Sequence, residues 1–256
     1  MSINPVAAGG FSSAAASYAR IRPTYARPAV GEVADAARAA GPVARTLDVA
    51  AGTGILTGQL ARLGLAVTAL EPLDPMARHL VRAVPAAPVV LGVAEHLPFR
   101  ADTFSLCTVA QAFHWFDAPA ALEELARVLA PGGELFLLWN ARDQLEPWVA
   151  ALTDLVEAHT GGRPYDDHRE QPWDRVVAAS GRFGPLTTRR WPNPVPTDVD
   201  GVLERLRSTS FVATLGADER DALLAEAQEL LTGRFGLSGR FDYPHDTVLH
   251  RCRVLD

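Results

Sequence analysis

The sequence predicts an α/β fold with a doubly wound, mostly parallel sheet, and three observations predict it. Between residues 46 and 142, short apolar segments typical of buried strands alternate with segments whose apolar residues recur at helical spacing. A glycine-containing turn at residues 50–54 joins the first of these strands to the helix that follows. An acidic residue, Glu71, closes the second strand. Repeated strand–helix order favours right-handed crossovers and therefore parallel strands.

The composition is that of an ordinary globular protein. The 256 residues, 48% of them hydrophobic, suffice for one large core or two small ones. No apolar run reaches the ~18 residues of a membrane span, and the first residues lack the pattern of a secretory signal. Cys107 and Cys252 lie in apolar segments and are expected to be buried thiols, which suits a reducing cytoplasm. We therefore expect a cytoplasmic protein without a membrane partner.

The charge pattern argues against nucleic acid as a partner. The net charge is −6, and the basic residues form no dense stripe along the sequence. A small-molecule partner is therefore favoured over DNA or RNA.

The first 45 residues are predicted to form helices that precede the sheet. Pro28 can open a helix with an apolar inner face. Arg22, which precedes Pro23, is disfavoured in the helical region and separates this helix from an earlier segment. Tyr18 and Tyr25 flank the break. Two interpretations stay open for this stretch: an ordinary loop between helices, or a lid over a binding site.

The turn after the first strand has an acid before it and small residues within it, namely Asp48, Ala50, Gly52 and Gly54. A dinucleotide-binding fingerprint would place a third glycine or alanine three residues after Gly54, where this chain has Thr57. A dehydrogenase is therefore disfavoured. The stretch resembles motif I of the class I S-adenosylmethionine-dependent methyltransferases, which is an acid, two small residues and then Gly-x-Gly.

This resemblance implies a cofactor site and a sheet order. In that family the turn packs against the methionine part of S-adenosylmethionine, and the acid helps to hold its ammonium group. Asp48, Ala50, Gly52 and Gly54 take these roles by resemblance, and Tyr18 would belong to an N-terminal lid. The resemblance also implies seven strands in the order 3-2-1-4-5-7-6, with the last strand antiparallel.

Glu71 ends the strand at residues 66–70, about 20 residues beyond the glycine turn, where a carboxylate can accept hydrogen bonds from both ribose hydroxyls. Pro72 and Met76 follow it as further cofactor-binding candidates. In the family an apolar side chain here contacts adenine, and Leu73 or Met76 could do this. The third strand leads into a small-residue, acid, x-Leu-Pro-Phe signature. By resemblance, Ala94 and Glu95 of that signature recognise adenine.

The fourth strand, at residues 102–110, delivers Ala110, Gln111 and His114 to the same rim. His114 is the candidate catalytic base, because an imidazole titrates near neutral pH and follows the strand nearest the expected methyl group. The alternative is that it packs under the cofactor. Arg142 could pair with an acidic substrate or could be an ordinary surface arginine.

From residue 143 onward we expect an elaboration of the same domain. Helices are predicted at residues 146–159, 199–206 and 218–231, and a strand at 186–191. Taken alone, residues 241–243 and 247–254 suggest a final strand pair or an edge strand. The chain is thus predicted to be one domain over residues 1–256: an N-terminal lid (1–45), a cofactor-binding core (46–142), and a substrate-capping helical insertion with the last strands (143–256).

The resemblance implies methyl transfer from S-adenosylmethionine to the oxygen, nitrogen or carbon of a small-molecule metabolite. No cluster of metal-ligating carboxylates is evident, so no metal is expected. An alternative stays open: a protein of this fold that binds the cofactor but catalyses a non-methylating reaction on a metabolite, since its cofactor motifs would look the same. The sequence also leaves open whether the chain forms a homodimer.

Overall fold

A seven-stranded sheet organises the structure, a computed structural model that describes residues 22–161, 172–209, 212 and 215–255. The strands are β1 (Arg45–Val49), β2 (Ala66–Glu71), β3 (Val89–Leu91), β4 (Phe104–Ala110), β5 (Leu129–Arg142), β6 (Thr187–Pro192), β7 (Val195–Thr197), β8 (Phe241–Tyr243) and β9 (His245–Arg253). The main sheet has the order β3-β2-β1-β4-β5-β9-β6. Strands β1 to β5 are parallel, whereas β9 is antiparallel to both β5 and β6. The α/β fold class and the order implied by the resemblance are confirmed.

Helices cover both faces of this sheet. They are α1 (Arg27–Ala39), α2 (Ile55–Arg62), α3 (Asp74–Ala83), α4 (Ala118–Val128), α5 (Pro147–Thr160), α6 (Trp173–Ala179), α7 (Val199–Arg207) and α8 (Ala217–Glu229). Strand side chains alternate between the faces: Leu106 packs in a cluster with α1 and α2, while Cys107 packs in a cluster with α4 and α6. Both faces of the sheet are therefore buried, as the doubly wound prediction requires.

The N-terminal region contributes to the core. Pro28 stands in the first turn of α1, as predicted, and Ala29 and Val33 of that helix are fully buried. The predicted lid at residues 1–45 thus includes a core helix. Residues 1–21, with Tyr18 among them, lie outside the described residues.

The last strands correct one expectation. Residues 241–243 and 245–253 do not pair with each other, and residues 245–253 do not form an edge strand. β8 pairs with β7 in a separate two-stranded sheet, and β9 is inserted between β5 and β6. The physical reason is that β5 and β6 both pair along β9, which leaves β8 to pair outside the main sheet.

The helical insertion has a hydrophobic cluster of its own. Side chains from α5, α7 and α8, including Leu152, Leu206 and Leu223, pack together with Tyr243 of β8. This cluster is separate from those on the sheet faces. None of the helices in the described part of the chain is both long enough and apolar enough to cross a membrane.

Candidate active site

The turn between β1 and α2 leaves open space above its backbone. Ala50, Gly52 and Gly54 all have positive φ, at 52°, 59° and 85°. A Cβ at Gly54 would lie 2.8 Å from Cγ of Leu80 in α3, so packing as well as φ requires glycine there. A Cβ at Gly52 would meet nothing within 4 Å. The backbone of Gly52 is therefore open to close approach by a ligand, which fits the predicted cofactor turn.

Asp48 lies beneath this turn with no exposed surface. Thr57 Oγ1 donates a hydrogen bond to one carboxylate oxygen at 2.6 Å, and Thr108 Oγ1 donates to the other at 2.8 Å. Burial raises the pKa of Asp48 to about 6, although the two hydroxyls act to lower it. Asp48 thus ties α2 and β4 to β1. Its predicted contact with an ammonium group stays a prediction.

Glu71 connects the end of β2 to the glycine turn. Its Oε2 accepts a hydrogen bond from the backbone N–H of Gly52 at 2.8 Å, and its Oε1 accepts from that of Leu73 at 3.0 Å. Burial raises the pKa of this carboxyl to about 7, against the effect of the two backbone donors. The structure therefore brings Glu71 and Gly52 together in one hydrogen-bonded unit.

The other predicted cofactor residues in the described ranges lie at or after the carboxyl ends of neighbouring strands. Pro72, Glu95, Ala110 and Gln111 are half-buried, and Met76 and Ala94 are buried; Met76 lies in α3. Glu95 accepts a hydrogen bond from the backbone N–H of Asp117, which precedes α4. Gln111 has a φ of 57° and donates through Nε2 to the carbonyl of Asn140 at 3.3 Å. Within the described ranges, no group of three or more His, Cys, Asp or Glu side chains is arranged to hold a metal ion.

His114 lies in a short 3₁₀ turn, Phe113–Trp115, after β4. The indole N–H of the buried Trp139 donates to Nδ1 of His114 at 3.4 Å. Because Nδ1 accepts, the neutral imidazole carries its hydrogen on Nε2. In this tautomer Nε2 is a hydrogen-bond donor. Nε2 could act as a base only in the other tautomer, in which Nδ1 carries the hydrogen. The geometry thus favours a hydrogen-bonding role, and the assignment as a base stays a prediction.

Asn140 is the centre of a hydrogen-bond network that the sequence did not reveal. Its Nδ2 donates to the carbonyls of Pro23 and Thr24, at 3.3 and 3.2 Å. Its Oδ1 accepts from Thr247 Oγ1 at 2.6 Å and from Asn193 Nδ2 at 3.1 Å. The side chain therefore joins the N-terminal segment to the carboxyl edge of the sheet. No local pattern could have shown this, because Thr24 is 116 residues from Asn140 in the chain.

Comparisons with known proteins identify the family. The sequence model of the family described as "Methyltransferase domain" matches residues 47–137. An uncharacterized methyltransferase of Mycobacterium tuberculosis H37Rv is 35% identical over 251 residues, which cover 95% of each chain. This chain belongs to the class I methyltransferase family. A second uncharacterized methyltransferase, from Schizosaccharomyces pombe, is 32% identical over 222 residues and 86% of each chain.

Solved structures share the fold of this methyltransferase at lower sequence identity. A candidate type II methyltransferase of Anaeromyxobacter dehalogenans aligns with a TM-score of 0.61 and 22% identity, covering 91% of this chain and 97% of that one. A Haemonchus contortus phosphoethanolamine N-methyltransferase, solved with phosphomonomethylethanolamine and S-adenosylhomocysteine, aligns with a TM-score of 0.56 and 14% identity. It covers 94% of this chain and 57% of that one. These likenesses bear on the methyltransferase fold alone.

Proposed function

We propose that this methyltransferase uses S-adenosylmethionine as its methyl donor and that its acceptor is a small molecule. The observation that carries the proposal is the Glu71–Gly52 unit. A buried carboxylate holds the backbone of a turn whose Gly52 leaves open space, at the carboxyl edge of a doubly wound sheet. This is the position at which the family pattern expects the ribose and methionine parts of the cofactor.

The residues around this unit fit the cofactor by their chemistry. Glu71 offers two oxygens that would accept hydrogen bonds from a ribose diol, because each oxygen has a second lone pair beyond the one it uses within the protein. Gly52 would let the methionine part lie against the backbone, with Asp48 supporting the turn from below. Met76 and Ala94 supply apolar surface for the adenine, and Glu95 a polar group. When bound, S-adenosylmethionine supplies a methyl group on a positively charged sulfur that is a good leaving group.

The chain's own contribution to methyl transfer is alignment and the exclusion of water. Gln111 is held by its bond to the Asn140 carbonyl, and His114 by the indole of Trp139. Both follow β4 and would face an acceptor beside the cofactor. His114 would then donate through Nε2–H to an acceptor atom and fix its orientation.

Two measurements test this function. Titration calorimetry with S-adenosylhomocysteine should give one site per chain. Incubation of the enzyme with methyl-labelled S-adenosylmethionine and a panel of small metabolites should move the label onto an acceptor. Binding without label transfer to any acceptor, combined with turnover of a metabolite by another reaction, would favour the non-methylating alternative instead.

A further inference from the structure

A buried histidine stands beside the rim of the cofactor site. His245 is the first residue of β9 and lies directly opposite Arg142, the last residue of β5. Two residues earlier on β5, the carbonyl of Asn140 accepts the hydrogen bond from Gln111 at the end of β4. His245 and Arg142 are therefore at the carboxyl edge of the sheet, and Arg142 is on the strand next to β4, whose end carries Gln111 and leads to His114.

One ring nitrogen of His245 has no hydrogen-bond partner among the residues that the structure describes. Nδ1 lies 2.9 Å from the carbonyl oxygen of Tyr243, and because a carbonyl only accepts, Nδ1 must carry the hydrogen. Nε2 then carries no hydrogen and has a lone pair that can accept a hydrogen bond. This atom is buried and has no hydrogen-bond partner within the described residues. The whole side chain is only 2% exposed. A buried acceptor without a donor is costly, so this nitrogen indicates a group that comes from outside the protein.

Three arginines, Arg205, Arg142 and Arg22, carry positive charge near the ring of His245. The guanidinium of Arg205 lies 5.2 Å from the ring centre of Tyr243, and that ring is 4.5 Å from the ring of His245. Arg22 donates to the carbonyl of Ser208, which caps the helix that carries Arg205. Burial first, and then the positive charges of Arg205, Arg142 and Arg22, lower the pKa of His245 to about 2. His245 is therefore neutral, and the charges that lower its pKa are those of arginines.

We infer that His245, Arg22, Arg142 and Arg205, together called the His245 cluster, bind the methyl acceptor, and that this acceptor is an organic anion with a hydroxyl group. The arginines favour a carboxylate or phosphate through their positive charge. The hydroxyl donates to Nε2 of His245 and satisfies the nitrogen that the described part of the chain leaves without a partner. This inference rests on the proposed function, because it makes the cluster the acceptor side of that site.

Calorimetry with defined probes tests it on the full chain saturated with S-adenosylhomocysteine. Malate carries two carboxylates and a hydroxyl, succinate lacks the hydroxyl, and succinamide lacks the charge. Malate should bind roughly threefold to tenfold more tightly than succinate, the range for one hydrogen bond, and succinamide should not bind. Inorganic phosphate, titrated separately, shows whether the cluster prefers phosphate to carboxylate; binding of either anion supports it.

Variants separate the two parts of the inference. His245→Phe should abolish the preference for malate over succinate, while His245→Gln, which keeps an acceptor oxygen, should retain part of it. Arg142→Gln should weaken both anions by roughly tenfold or more, as expected for a hydrogen bond to a charged group. Arg38→Gln is the matched control: Arg38 is exposed on α1 and paired with Asp35, and its loss should change neither affinity. Unchanged affinity for S-adenosylhomocysteine checks that each variant is folded.

Three results would overturn all or part of the inference. If S-adenosylhomocysteine binds normally but no anion binds, the cluster is not an anion site, and the proposed function still stands. If malate and succinate bind equally, Nε2 does not receive a hydroxyl from the acceptor, and that part is wrong. Failure to bind S-adenosylhomocysteine at all would remove the proposed function and this inference with it.

Discussion

Glu71 shows at the scale of one residue how a buried carboxylate can make cofactor binding depend on pH. Burial raises its pKa to about 7. A ribose diol donates to the ionised carboxylate, so binding favours that form and lowers the pKa. Below pH 7 the free protein must first lose a proton before it can bind. We therefore expect the affinity for S-adenosylhomocysteine to level off above pH 7 and to be roughly tenfold weaker at pH 6 than at pH 8.

Calorimetry at several pH values between 6 and 8 measures this dependence. Glu71→Gln removes the titrating group, so its affinity should be lower throughout and nearly independent of pH. A wild-type affinity that stays constant across the range would contradict the assignment of Glu71 to the ribose.

His114 can be a donor or a base, and one pair of variants distinguishes the two roles. His114→Gln keeps an N–H donor but cannot act as a base, whereas His114→Ala keeps neither. Because Trp139 donates to Nδ1, we expect His114→Gln to retain most of kcat and His114→Ala to lose about tenfold or more, the free energy of one to two hydrogen bonds. Steady-state rates with an identified acceptor give the answer. An equal decrease of kcat in both variants would instead indicate that His114 acts as a base.

Most residues that the sequence predicted at the site lie at the end of a strand with a recognisable pattern or in the segment that follows it. Glu71 closes an apolar strand, and Gly52 and Gly54 lie in a turn with fixed spacing. The partners of these residues were not predictable in the same way. Thr57 stands where a dinucleotide fingerprint would have a small residue, yet its hydroxyl binds Asp48. His245 carried no local signal, because its neighbour Arg142 is joined to it only by strand pairing.

At the scale of elements, the two glycines of the β1–α2 turn should respond differently to the same substitution. Alanine at either position must adopt a positive φ, which costs about 1–2 kcal/mol. At Gly54 the new methyl group also collides with Leu80 of α3, which should add roughly 1–3 kcal/mol of overpacking. At Gly52 the methyl group would occupy the open space proposed for the cofactor.

We therefore expect Gly54→Ala to lower the melting temperature more than Gly52→Ala. Relative to the stability that each variant loses, Gly52→Ala should reduce the affinity for S-adenosylhomocysteine more than Gly54→Ala does. Thermal unfolding and calorimetry on the two variants measure both quantities. The same ranking for stability and for binding would mean that the turn acts only as a structural element.

Elements were predicted well where a hydrophobic pattern was strong and less well where it was weak. The strands β1, β2 and β4 are apolar and buried, and each was predicted close to its observed bounds. The pairing of β8 was not predictable, because a three-residue strand leaves no periodic signal and its partner, β7, is equally short. Helix α8 was predicted to start at Asp218, but it begins at Ala217 and its N-cap is Gly216.

At the scale of the whole molecule, separate hydrophobic clusters support the two halves of the proposed site. Leu125 of α4 is fully buried in the cluster that contains Ala94, on the adenine side. Leu223 of α8 is fully buried in the insertion cluster, which includes Tyr243, the residue whose carbonyl holds His245. The cofactor side and the acceptor side therefore depend on different cores, although one chain runs through both.

Because the two sides depend on different cores, the same Leu→Ala substitution in each core should affect different steps of the reaction. Leu125→Ala and Leu223→Ala each remove the same side chain from a fully buried helix position, so each should destabilise the protein by about 2–5 kcal/mol. Leu125→Ala should also weaken S-adenosylhomocysteine binding, because the adenine-side cluster loosens around Ala94. Leu223→Ala should leave that affinity nearly unchanged. It should instead lower the rate with the acceptor, since Tyr243 and with it His245 lose their packing support.

Thermal unfolding measures the stability of the two variants. Calorimetry and turnover, both measured well below the melting temperatures, compare their binding and activity. If Leu223→Ala weakened S-adenosylhomocysteine as much as Leu125→Ala does, the two halves of the site would share a single core.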